Sequence, residues 1–81
     1  MNYNYYKRNF NNIEKIFRVP GNGKLIYENV ATIEVWENKE WKYIDRYLTR
    51  LLDDYMTGWL IEGEDCLSID EVNKLINESN A

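Results

Sequence analysis

Apolar residues follow two different periods along this chain. Up to about residue 44 they come in short runs and alternations, the spacing of β-strands. Beyond it they recur every three or four positions, the spacing of helices. Ile16, Phe17 and Val19 predict a strand that stops at Pro20. Pro20-Gly21-Asn22-Gly23 is turn chemistry, because proline fixes φ while glycine and asparagine tolerate positive φ. Leu25, Ile26 and Tyr27 then resume an extended pattern, so a hairpin is expected across this loop.

A second hairpin is written into Thr32-Ile33-Glu34-Val35-Trp36-Glu37, Asn38-Lys39 and Glu40-Trp41-Lys42-Tyr43-Ile44. With Asn38-Lys39 as a two-residue turn, Trp36 faces Trp41, Val35 faces Lys42, Glu34 faces Tyr43 and Ile33 faces Ile44. Alternation puts Ile33, Val35 and Ile44 on one face and Trp36, Trp41 and Tyr43 on the other. One face is expected to meet the core. The other is either covered by a helix or open to a partner.

Ile44, Leu48, Leu51, Leu52, Tyr55, Met56 and Trp59 form one helical stripe. Asp45 is the expected N-cap and Gly58 the stop, and Arg50 has Asp53 and Asp54 within helical reach. Trp59-Leu60-Ile61 is expected as a last strand, and Glu62-Gly63-Glu64-Asp65 as a loop. Ser68-Ile69-Asp70-Glu71 is a capping box, with Leu67 and Val72 placed for a hydrophobic staple, and Ile69, Val72, Leu75 and Ile76 continue as an apolar stripe. These elements predict an α+β fold: a small antiparallel sheet of three to four strands packed against two helices. Residues 45–57 are expected to cover one face, and residues 69–78 to close the edge.

The first twelve residues break the pattern. Asparagine at positions 2, 4, 9, 11 and 12 disfavours regular structure, while Tyr3, Tyr5, Tyr6 and Phe10 favour strands. A flexible or weakly ordered arm over residues 1–12 is expected, with an edge strand as the alternative, followed by one domain over 13–81. A chain of 81 residues feeds a single core. Its aromatic share of 15% matters, since each buried ring removes about 150–250 Å² from water.

The formal charge of −4 is divided unevenly. Residues 1–25 hold five cations against Glu14, and residues 26–81 hold five cations against thirteen acids. Five carboxylates, Glu62, Glu64, Asp65, Asp70 and Glu71, fall close together. There is no histidine and one cysteine, Cys66. The commonest general base and metal ligand are therefore missing, and no intrachain disulfide can form. No apolar run reaches the roughly 20 residues of a membrane span, and Met1-Asn2-Tyr3-Asn4 lacks a signal-peptide core. A cytoplasmic protein without cofactor, metal or catalytic residue is expected.

The Trp-bearing hairpin Glu34-Val35-Trp36-Glu37-Asn38-Lys39-Glu40-Trp41 and the closing Leu67-Ser68-Ile69-Asp70-Glu71-Val72 resemble short proteins of low-GC bacteria and their phages, which end in a similar Ile-Ser-Glu-Glu-type helix. The resemblance covers residues 16–78. Its motifs are structural and transfer no activity.

The expected function is a non-enzymatic protein-binding module. It would act as small phage-type inhibitors of a host defence or nucleic-acid-processing complex do, in the host cytoplasm if phage-encoded. The candidate partner-binding residues are Trp36, Trp41, Tyr43, Asp53, Asp54, Glu62, Glu64, Asp65 and Asp70, and the acidic ones suit a basic protein. One alternative is a nucleic-acid binder using Tyr5, Tyr6, Lys7, Arg8 and Phe10, rings that stack on bases beside cations that meet phosphates. Another is a homo-oligomer joined through the Trp hairpin.

Overall fold

Two-residue turns set most of the sheet. The computed structural model describes residues 2–61 and 65–78. Four antiparallel strands, β1 Tyr3–Phe10, β2 Ile13–Pro20, β3 Glu34–Glu37 and β4 Glu40–Lys42, lie in the order β1-β2-β3-β4. A 3₁₀ helix, Ile26–Thr32, occupies the β2–β3 connection. Two α-helices follow, α1 Asp45–Thr57 and α2 Ile69–Glu78. This is the α+β arrangement that the sequence predicts.

The residues expected to form a loose arm make β1, paired with β2 along its whole length from Tyr3↔Pro20 to Phe10↔Ile13. Burial of rings outweighs the poor strand propensity of asparagine here. Tyr6 is fully buried, and Phe10 packs beside Phe17 and Tyr47. Asn11 and Asn12 are turn residues rather than strand residues. Both sit at positive φ, 49° and 70°, the conformation of a type I′ hairpin turn and one that asparagine tolerates.

Asn38 and Lys39 make the corresponding turn between β3 and β4, at φ 52° and 66°. The register is the expected one: Val35↔Lys42, Trp36↔Trp41 and Glu37↔Glu40. The hairpin expected around Pro20–Gly23 does not form. Instead the Asn22 side chain accepts from the Lys24 N–H and exchanges hydrogen bonds with the buried Asn29 amide. Residues 26–32 coil so that Ile26 and Asn29, three apart, face inward together.

One face of the sheet presents Tyr6, Phe17, Val19 and Val35, all buried, to Leu48 and Leu51 of α1, with Ile26, Ile33 and Leu60 completing the core. Lys15 lies on this face too. Its ammonium donates to Glu37 Oε1 at 3.0 Å and stands 5.2 Å from the centroid of the Tyr47 ring. The opposite face carries Tyr3, Tyr5, Ile16, Arg18, Trp36 and Trp41, by strand alternation.

α2 lies over this second face, whereas the sequence placed it at the edge. Val72 is buried, and Leu75 lines a hollow of about 230 Å³ with Ile13, Ile16 and Trp36. Only the approach to the helix runs along the edge, where the Leu67 N–H donates to the Tyr5 carbonyl at 2.7 Å. The capping box is formed. Ser68 Oγ accepts from the Glu71 N–H at 3.1 Å, and Glu71 Oε1 accepts from the Ser68 N–H at 3.2 Å.

α1 departs from expectation at its start, and the chain departs from it just beyond the helix end. Ile44 is its N-cap, and Asp45 is the first helical residue, accepting from the Tyr43 hydroxyl. Gly58 ends the helix at φ 85°, as expected. The chain then turns away without forming the strand expected over residues 59–61.

Candidate partner-binding surfaces

The Trp hairpin is packed, not bare. Trp36 and Trp41 meet edge-on at 5.3 Å between centroids, both half-buried. Trp41 continues to Tyr5 at 5.9 Å, and Tyr5 to Tyr3 at 6.2 Å. The Arg18 guanidinium lies 4.6 Å from the Tyr3 centroid and 4.7 Å from that of Trp41. Its Nε donates to Glu34 Oε1 at 2.7 Å. Arg18, on β2, thus ties all four strands together through cation–π contacts to β1 and β4 and a charge-assisted bond to β3. The Trp36 indole N–H is buried without an acceptor among the described residues. Tyr43 stands half exposed at the hairpin's end. Its phenol is held above the usual value by partial burial and then by the adjacent Asp45 carboxylate.

The described candidate acids do not form one continuous surface. Asp53 is exposed on α1, while Asp70 is exposed in the first turn of α2, and these helices cover opposite faces of the sheet. The Asp54 side chain is only 17% exposed and is shared by Arg8 and Arg50, whose Nε atoms lie 3.0 and 3.3 Å from its Oδ2. Asp65 turns back on its own loop, accepting from the Ile61 N–H and donating its own N–H to the Ile61 carbonyl. Glu62 and Glu64 lie outside the described residues.

The basic aromatic segment is similarly engaged. Tyr6 is buried, Phe10 packs on Tyr47, Lys7 pairs with Glu14 and Arg8 with Asp54. Only Tyr5 contributes a ring to the half-buried row described above. Cys66 is a free thiol packed against the core. No described helix is long and apolar enough to cross a membrane.

Among the described residues, the most exposed large apolar side chains are two that the sequence assigns to the apolar stripe of α1. Met56 and Trp59 are each 79% exposed. Met56 falls roughly 80° round the helix from Leu48, at the rim of the stripe. Trp59 lies beyond the helix, in a Schellman cap: Gly58 N–H donates to Tyr55 O, and Trp59 N–H donates to Asp54 O at 2.8 Å. The Leu60 N–H joins at the same carbonyl, and Arg8 Nη2 reaches the Trp59 carbonyl at 3.4 Å.

That motif ordinarily rests the residue after the glycine on an apolar neighbour three or four positions inside the helix end. Those neighbours here are Asp54 and Asp53, so the indole has no apolar seat. The signal was present in the sequence, in the order Asp53-Asp54 before Gly58-Trp59. Around the indole, Arg8, Asn9, Arg50 and Asp54 line an open cleft between β1 and α1. No family model matches this chain, and neither a curated protein nor a solved structure is significantly similar to it.

Proposed function

We propose that this chain is a non-enzymatic protein-binding module whose contact surface centres on Trp59, with Met56 three residues before it. The observation that carries this reading is a tryptophan 79% exposed on a backbone tied by the helix cap and by Arg8. Leaving an indole in water forgoes the roughly 1.5–3 kcal/mol that burying a large apolar side chain contributes. A protein partner would recover that energy. The rigid attachment lowers the entropy lost when the partner docks. Tryptophan and arginine are also the residue types that dominate binding hot spots, and both stand at this cleft.

The Trp hairpin supports the module rather than the contact, since its rings pack on Tyr5, Arg18 and each other. An acidic mimic of nucleic acid has little support, because the exposed carboxylates Asp53 and Asp70 are divided between two faces. The simplest action of such a module is to occupy a surface of a larger protein and block it.

Affinity capture from the cells that make the chain tests this. The captured partner is expected with wild type and with Asp70→Asn, and is lost with Trp59→Ala and Met56→Ala. Retention by Trp59→Ala with loss by Asp70→Asn would move the contact to the other face.

A further inference from the structure

We infer that the cleft beside Trp59 recognises an acidic peptide segment, with a carboxylate held by Arg50 and a neighbouring apolar side chain laid on the indole. The inference rests on the protein-binding reading above and names the partner's chemistry. The cleft is an open hollow of about 370 Å³ lined by Arg8, Asn9, Arg50, Asp54 and Trp59.

Its charge does not balance. Two guanidinium groups share one carboxylate, and both approach the same oxygen of Asp54. Arg8 spends its remaining nitrogens on the Lys7 and Trp59 carbonyls. The Arg50 side chain is 57% exposed, and only its Nε is engaged among the described residues. Its two terminal nitrogens are therefore free to take a carboxylate as a fork, the geometry in which arginine binds such groups most strongly. The indole supplies the adjoining apolar contact.

The cleft is thus locally positive on a chain of net charge −4. That contrast favours one carboxylate over a nucleic-acid strand. A strand would bring a phosphate at every nucleotide against the surrounding acids, of which Asp53 is the nearest along α1.

Short random peptides displayed on phage can be selected on the full chain and counter-selected on Trp59→Ala. The winners are expected to carry Asp or Glu beside an aliphatic or aromatic residue. Converting that acid to its amide, or Arg50→Gln in the protein, should weaken the synthetic winner roughly tenfold, while Asp70→Asn should not. Arg50 is exposed, so an unchanged melting temperature shows that its variant still folds.

Basic or uncharged winners, no winners, or indifference to Arg50→Gln would overturn the inference. So would an oligothymidylate that displaces the winner and binds more tightly, since the cleft would then be a nucleic-acid site. If the peptides fail while a cellular partner still requires Trp59, only this inference falls. If the cellular partner ignores Trp59, the contact surface itself is wrong.

Discussion

At single residues, stability and the proposed contact are expected to separate. Phe17 is fully buried between Tyr6 and Val35 on the core face, so Phe17→Ala removes a ring and leaves a cavity. The expected loss is about 3–5 kcal/mol, enough to unfold much of a domain this small, and chemical denaturation would measure it. Trp59→Ala removes a larger side chain, yet its effect on the same denaturation curve should stay within about 0.5 kcal/mol. Lys39 makes a different test. It holds φ 66° in the β3–β4 turn, where a side chain costs roughly 1–2 kcal/mol. Glycine relieves that strain but loses about 0.5–1 kcal/mol to the freer unfolded chain. Lys39→Gly should therefore stabilise by about 0.5–1 kcal/mol. Asn12→Gly, at φ 70°, should gain less, because asparagine already tolerates this region.

Among the elements, those with closed local chemistry were legible in the sequence. Asn38-Lys39 admits a two-residue turn, and that turn fixes the pairing of Trp36 with Trp41. Ser68 and Glu71 name the start of α2. Elsewhere one pattern served two structures. Leu25-Ile26-Tyr27 suits a strand or a 3₁₀ turn, and the side-chain bonds of Asn22 and Asn29 decide for the turn. The asparagines of residues 1–12 read as disorder, although two of them form the turn that makes β1 possible. Met56 and Trp59 continue the spacing of the α1 stripe, but Met56 falls at its rim and the helix ends before Trp59, which leaves both in water. Glu62 and Glu64, among the expected contact residues, fall outside the described chain.

α2 also carries a pH test at this scale. The Glu71 carboxyl is held below its ordinary value of about 4.5 by the Ser68 N–H, then by the Ser68 hydroxyl. A depressed folded-state value means that this stabilisation is complete above the ordinary value and disappears as pH falls through the lower one. The stability gap between wild type and Glu71→Gln should therefore be largest near neutrality and close on acidification. A gap that widened in acid would contradict the cap. At neutral pH, Ser68→Ala should cost about 1 kcal/mol, roughly a 5 °C fall in melting temperature.

At the scale of the whole molecule, one sheet is packed on both faces. Its α1 face buries the core, and its other face is tied by Arg18 between Tyr3 and Trp41 and by a helix that contributes Val72 and Leu75. Trp59 and the two arginines line the cleft between α1 and β1. Met56 and Trp59, each 79% exposed, therefore sit on a frame that does not depend on them. Binding governed by Arg50 should weaken as salt rises, because the charges at this cleft are partly exposed.

Isothermal titration of the captured partner with wild type and with Trp59→Ala is the most direct test of that assignment. The expected result is a loss of about 2 kcal/mol in the variant, roughly thirtyfold in affinity, with an unchanged melting temperature. Equal affinities for the two proteins would contradict the claim that Trp59 is the contact.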